Sequence, residues 1–267
     1  MLAAAFWDSF KLSPLHVPDG SRLLPSFTAL FKALDNIGDP PNRQRAITPK
    51  FLRYLHRLGS TGPPKACAID HAVDLLIAGF FFATRPCEIV RTKNPGKTKT
   101  LELRDIIFRD RSRRIIPHDD PRLLDRVEFV TVTWRNQKNG KRGATMHHTA
   151  RPSPFCPVKA LANRVHHLYE LAPANPELPI SFVSLGSHVT SSHITLAVRE
   201  SVVLSGLLNS GYSPSRVSAH SLHASGAMVL KLNGVDGNLI MKLGCWSSTT
   251  WLTYIQPQMI LSRTAGL

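Results

Sequence analysis

Apolar residues recur at helical spacing along most of this chain, with one interval of strand-like alternation near its middle. Thr48-Pro49 opens the first well-marked helix: proline sits in the first turn, Phe51, Leu52, Leu55 and Leu58 share a face, and Gly59 ends it. A second helix is predicted from Ala68 to Thr84, because Ile69, Val73, Leu76, Ile77 and Phe80 line one side. Arg85 and Pro86 follow it, and Glu88 begins another short turn. The period then changes. Leu101-Glu102-Leu103, Val127 to Trp134 and Gly143 to Thr149 read as three short strands, the last two joined by the turn-like Gln137-Lys138-Asn139-Gly140-Lys141. Helical character returns from Pro157 to about Leu171, where Pro173, Pro176 and Pro179 force a loop. A further helix from about Ser192 to Leu208 carries Ile194, Leu196, Val198, Val202 and Leu204, and the His220 segment leads into terminal helices.

The expected fold class is therefore α+β, mainly α-helical, with a small three-stranded antiparallel sheet between helices. Residues 1–46 hold one short helical pattern, Phe27-Leu30-Phe31-Leu34, and the loop Gly38-Asp39-Pro40-Pro41 with Arg43 and Arg45, which reads as a small helical segment and a basic linker. At 267 residues and 43% hydrophobic content the chain is long enough for one large domain with a small appendage.

Charge narrows the partner. Thirty-three Lys and Arg face 18 Asp and Glu, a net +15 that favours a polyanion through long-range attraction and counterion release. Nucleic acid is the leading candidate; a basic surface kept for solubility, or for acidic proteins or lipid, is the alternative. Cys67, Cys87, Cys156 and Cys245 are far apart and form no C-x-x-C pair, so neither a disulfide framework nor a zinc site is indicated. His147, His148, His166 and His167 fall on a strand and a helix in adjacent pairs, a poor layout for metal ligands. No metal or other cofactor is expected. Met1 to Trp7 is apolar but has no basic start and meets Asp8 too early for a signal peptide, and no run approaches the roughly 18 apolar residues of a membrane span. The expectation is a soluble, intracellular protein with no membrane partner and no small-molecule substrate.

Four local patterns then fall in one order: Phe80-Phe81-Phe82-Ala83-Thr84-Arg85-Pro86-Cys87-Glu88; Trp134-Arg135-Asn136-Gln137-Lys138-Asn139-Gly140; Phe155-Cys156-Pro157-Val158-Lys159-Ala160-Leu161; and His220-Ser221-Leu222-His223 leading through Gly234-Val235-Asp236 and Leu243-Gly244 to Tyr254. Each is weak alone. Their collinearity resembles the catalytic domain of the tyrosine recombinase, or phage-integrase-like, family over about Ile47 to Gln256. The resemblance implies that 47–267 is the catalytic domain, and that 1–46 is a truncated remnant of the helical core-binding domain with which family members clamp DNA.

It also implies roles. Tyr254 would be the nucleophile that conserves phosphodiester energy as a 3′-phosphotyrosine. Arg85 would hold phosphate oxygens through its guanidinium fork. Lys138, with Lys141 as the nearby competitor, would protonate the leaving 5′ oxygen. His220 would handle a proton near the scissile phosphate, and Trp246, with Cys245 one position earlier, would donate to it. The family's second arginine should stand where this chain has His223. A neutral imidazole supplies one donor and no permanent charge, so slow cleavage is expected, rising in mild acid if His223 becomes charged. Double-stranded DNA is the implied partner, with a homo-oligomer assembled on it, in the nucleus of a eukaryote and otherwise in the cytoplasm. A DNA-binding remnant without catalysis is the competing reading.

Overall fold

The computed structural model describes residues 45–47, 51–55, 68–93, 98–137, 140, 142–172, 175–210, 212–244, 246, 251 and 252. All belong to the second of two compact units, Gln44–Leu267, into which the chain divides. The proposed helical remnant and the short helix around Phe27 lie outside the described residues.

The organising element is α1 (Ala68–Phe81). Ala72, Leu75, Leu76, Ile77, Ala78 and Phe80 on it are buried, so it is wrapped by partners rather than lying on a surface. It packs on α4 (Pro157–Leu171), α5 (Ser191–Leu204) and α6 (Ser221–Leu232). Gly79 permits this closeness: a Cβ there would stand 2.7 Å from Ile89 Cδ1 and 3.2 Å from Leu222 Cδ1. Residues 51–55 are helical, as the Thr48-Pro49 signal predicts, and bury Phe51, Leu52 and Leu55 in the same core.

The helix stops three residues earlier than its apolar pattern suggests. Thr84 N donates to Gly79 O (3.0 Å) and Ala83 N to Phe80 O (3.3 Å), the paired bonds of a Schellman cap, with Ala83 in the left-handed region at φ 48°. Glycine usually fills that place. Here the stop comes from Pro86, which pushes Arg85 to extended backbone (φ −80°, ψ 150°) and starts α2 (Pro86–Ile89).

The sheet has four antiparallel strands rather than the expected three, in the order β2-β1-β3-β4. They are β1 (Ile106–Arg109), β2 (Ile115–Ile116), β3 (Phe129–Trp134) and β4 (Ala144–Thr149), with the single-turn helix α3 (Leu123–Arg126) between β2 and β3. The expected strand at Leu101-Glu102-Leu103 is displaced. Asp105 Oδ2 accepts from Glu102 N at 2.9 Å and Asp105 N donates to Glu102 O, so Leu103–Asp105 winds into a 3-10 turn and β1 begins after it. Opposed pairs Ile106↔Val132 and Phe108↔Val130 carry the buried face into the core shared with the helices. The β3–β4 pairing, Val130↔His148 through Trp134↔Ala144, matches the predicted hairpin.

A second ribbon, β5 (Phe182–Ser184) with β6 (Ser187–His188), follows the proline loop. It is fastened from inside. Arg164 of α4 is 1% exposed; its Nε donates to Ile180 O at 2.7 Å and its Nη2 to Phe182 O. From this ribbon Ile180 N reaches Leu101 O, while Arg91 N reaches Val189 O, and Leu101 N in turn donates to Glu88 O. The buried arginine thus braces the segment that supports α2. Finally α7 (Gly237–Leu243) starts at Asp236, whose carboxylate accepts from Asn238 N at 2.8 Å and Leu239 N at 3.3 Å.

Candidate functional site

Three chain segments meet where α1 ends: the Ala83–Arg85 turn, the first turn of α6, and the stretch just after α7. Gly226 allows α6 to cross this turn closely, since a Cβ there would lie 2.8 Å from Ala83 Cα and 3.0 Å from Phe80 O. Arg85 leaves the turn with its side chain 17% exposed. Its backbone N–H donates to Glu88 Oε2 (2.7 Å), Nη1 to Glu88 Oε1 (3.2 Å) and Nη2 to Gly244 O (3.4 Å). Burial raises the Glu88 carboxyl above its ordinary range, opposed by the Arg85 N–H and guanidinium. The guanidinium is thereby aimed from α2 toward the end of α7.

His223 sits in the first turn of α6 and faces the same place. Its Nδ1 lies 2.6 Å from Ala83 O, and because a carbonyl only accepts, that nitrogen carries the proton. The imidazole stacks on Trp246, centroids 4.0 Å apart and planes 30° off parallel. Nε2 is closed off from solvent with no hydrogen-bond partner among the described residues. Burial first, then the positive charge of Arg85, lowers the imidazole to about 3, with the Ala83 bond pulling weakly the other way. In the free protein the ring is therefore held neutral in mild acid, so the expected gain of charge depends on a phosphate bound beside it.

His220, exposed one residue before α6, adds to the depression of His223, so the two imidazoles share one neighbourhood. Its backbone N–H donates to Ser218 Oγ at 3.2 Å. Trp246 is half-buried, fixed by its backbone N–H, which donates to Met241 O at 2.9 Å, and packed against the cluster of Ala224, Ala227, Met228, Ile240 and Trp251. A Cβ on Gly244 would fall inside its indole, so glycine is required where the chain passes under the ring.

The structure thus brings Arg85, His220, His223 and Trp246 together. Lys138 and Tyr254, with the competitors Lys141 and Cys245, lie outside the described residues. The base of the Lys138 hairpin is described and firmly tied: Arg135 donates to Asp105 Oδ2 (3.0 Å) and Thr100 O (2.9 Å) and pairs with Glu102 Oε1 (2.7 Å). Sequence reading missed this anchor, although an arginine three residues before the lysine of a hairpin is a visible hint. It also missed the carbonyls of Ala83 and Gly244, which no side-chain pattern announces. The four histidines of the sheet and α4 are dispersed: His147 Nδ1 meets Thr131 Oγ1, His148 Nε2 meets Phe81 O, His166 pairs with Glu170 and His167 stacks on His71. Among the described residues no group of three or more His, Cys, Asp or Glu could hold a metal ion, and no helix is long and apolar enough to cross a membrane.

Neutral burial of His223 is expected to make stability depend on pH. Its folded value lies below the ordinary 6.5, as do those of His148 and His118, each depressed chiefly by burial. The unfolded chain then binds more protons than the folded one between about pH 6.5 and pH 3, so the contribution is complete above that window and is lost as pH falls through it. Urea midpoints are expected to drop across this range, and His223→Phe is expected to flatten the slope; an unchanged slope would count against the buried neutral ring.

The fold is similar to solved site-specific recombinases. Against XerH bound to difH substrate in a pre-cleavage complex the TM-score is 0.51 at 14% identity, covering 95% of this chain and 66% of that one. Against XerH bound to palindromic difH substrate in a post-cleavage complex it is 0.50 at 14% identity, covering 84% and 53%. The Tn1549 transposon integrase in complex with transposon right end DNA gives 0.50 at 13% identity, covering 99% and 76%. The chain spans about half to two thirds of the length of the two XerH chains. No protein-family model matches it, and no curated protein does.

Proposed function

We propose that this chain is a recombinase-like protein that binds duplex DNA and breaks and rejoins it slowly through Tyr254. The observation that carries the proposal is the meeting of Arg85, His220 and Trp246 at one junction, within a fold like that of recombinases solved on DNA. In this reading the Tyr254 oxygen attacks phosphorus, the 5′ oxygen leaves and takes a proton from Lys138, and a 3′-phosphotyrosine holds the strand until the 5′ hydroxyl returns. Arg85 steadies the phosphoryl oxygens by its fork, the Trp246 indole N–H adds a donor, and His220 handles a proton beside the phosphate. His223 stands in the place of a second arginine and slows the reaction. Residues 47–267 are then the catalytic domain, and 1–46 a helical segment and basic linker belonging to the core-binding side. The chain works as a homo-oligomer on its DNA, in the nucleus if its source is eukaryotic and otherwise in the cytoplasm.

A second reading, a DNA-binding remnant without chemistry, is favoured by one observation: the guanidinium of Arg85 is already paired with Glu88 while His223 is neutral. Two measurements separate the readings. Duplex affinity is expected to fall linearly in log–log against salt, with a slope of about −0.9 for each phosphate neutralised. A nicked suicide duplex is expected to accumulate a slow covalent adduct with the native chain and none with Tyr254→Phe. Salt-insensitive or absent binding removes both readings; binding without any adduct, even at long times, leaves the remnant.

A further inference from the structure

His223 occupies a position with three separate constraints, and none of them points its chemistry at a ligand. Nδ1–H is committed to Ala83 O at 2.6 Å. The opposite nitrogen is enclosed and unpartnered, so it neither donates nor accepts across the site surface. What the ring does present is its flat face, and that face carries the indole of Trp246 at 4.0 Å. On the indole's other constraint, Gly244 removes the side chain that would push the ring away, and the same residue's carbonyl accepts from Arg85 Nη2 at 3.4 Å.

We infer that His223 is a positioning residue: anchored to the left-handed turn at Ala83, its ring is the platform that fixes Trp246 beside Arg85, and it carries no charge to the DNA phosphate. The inference deepens the recombinase-like reading and rests on it for what the indole is positioned to meet. The physical logic is geometric. Offset stacking of aromatic planes restricts both tilt and sliding of the indole, and the short bond from Nδ1 to a carbonyl of the α1 cap restricts rotation of the imidazole itself. The placement of Trp246 is thereby referred to the end of α1, the same backbone turn from which Arg85 projects. Neutrality follows from this packing, since the stack and the enclosed Nε2 are what exclude water from the ring.

The test uses the full chain labelled with 5-fluorotryptophan. Trp7, Trp134, Trp246 and Trp251 give four fluorine resonances, and Trp246→Phe identifies the one that matters. His223→Phe keeps a flat ring without the Ala83 bond; His223→Asn keeps a donor without the ring. The Trp246 resonance is expected to stay near its native position in His223→Phe and to move toward that of a solvent-exposed tryptophan in His223→Asn. Trp134, buried in the main core and outside the cluster on which Trp246 packs, is expected to hold still in both variants, which separates loss of the platform from loss of the fold. A Trp246 resonance that ignores His223→Asn overturns the platform.

Duplex affinity supplies the second arm. His223→Asn and Trp246→Ala are each expected to weaken binding several-fold, and the double variant is expected to be no weaker than Trp246→Ala alone, because both act through one contact. The salt slope is expected to be unchanged in His223→Phe; a slope reduced by about one unit marks His223 as a charge on a phosphate and overturns the inference. If the native chain binds no duplex, the functional reading falls while the fluorine measurement, made without DNA, still decides whether His223 supports Trp246.

Discussion

His223→Arg is expected to raise the rate of covalent adduct formation at Tyr254 by roughly 10²–10³-fold on a nicked duplex, the scale associated with one preorganised transition-state donor. In the proposed reaction, the charge growing on the phosphoryl oxygens would meet, among the described residues, the guanidinium of Arg85 and a neutral imidazole turned to the backbone. An arginine at 223 can keep the flat contact with Trp246, because guanidinium planes stack on aromatic rings, while its fork reaches outward. A second cation beside Arg85 is also costly without an anion between them, since the field of Arg85 already opposes protonation of His223. The variant is therefore expected to melt lower than the native chain alone and to recover part of that loss on duplex DNA. Single-turnover assays with native, His223→Arg and the doubly substituted His223→Arg, Tyr254→Phe chain decide it. Equal adduct yields from native and His223→Arg would falsify the account of the slow reaction.

Arg164→Ala is expected to cost about 3–5 kcal/mol of folding stability, the range seen when one side of a buried charged contact is removed. Two carbonyls, of Ile180 and Phe182, lose their charged donor inside the protein, and the volume of the largest fully buried side chain is left empty. Burial lowers the guanidinium to about 10, with Asp74 holding it up, so it remains charged at neutral pH. Arg164→Lys keeps a charge and a reach but not the fork, and is expected to recover only part of the loss. The damage should extend to the site, because the Ile180 segment is zipped to Leu101 and Leu101 to Glu88. Urea unfolding of the three chains measures the first effect, and duplex affinity of Arg164→Lys at full folding measures the second. A cost below about 1 kcal/mol for Arg164→Ala would mean that the carbonyls find other donors.

Helix positions were the most readable part of the chain. The helix predicted to open at Pro157 and run to about Leu171 has those ends, because proline at its start and a proline-rich loop after it are written in residue type. The end of α1 was readable only in part: Pro86 shows that the chain must leave the helix before it, but the left-handed turn at Ala83 that sets the last helical residue rests on close packing against Gly226. β2 was missed because two residues give no alternation to see, and the first strand was misplaced because Asp105 turns the chain with its own carboxylate. In the site, the resemblance to the recombinase family singled out Arg85, His220, His223 and Trp246, and the structure brings these four side chains to one junction. The states of these groups were another matter: the neutrality of His223 depends on burial and on neighbours brought from far along the chain.

The carbonyls at the end of α1 are nearly all taken: Ala78 by Phe82, Gly79 by Thr84, Phe80 by Ala83, Phe81 by His148, and Ala83 by His223. That end is also the negative pole of the helix, equivalent to about half an elementary charge, and it lies directly under the turn that presents Arg85. Part of the guanidinium's field is spent against this pole and against Glu88. The long-range attraction of a chain with net charge +15 therefore comes from elsewhere on the molecule. In the recombinase-like reading proposed above, capture of DNA and grip on the reacting phosphate are then separate properties, the first expected to be salt-sensitive, the second set among the described residues by the partly compensated Arg85.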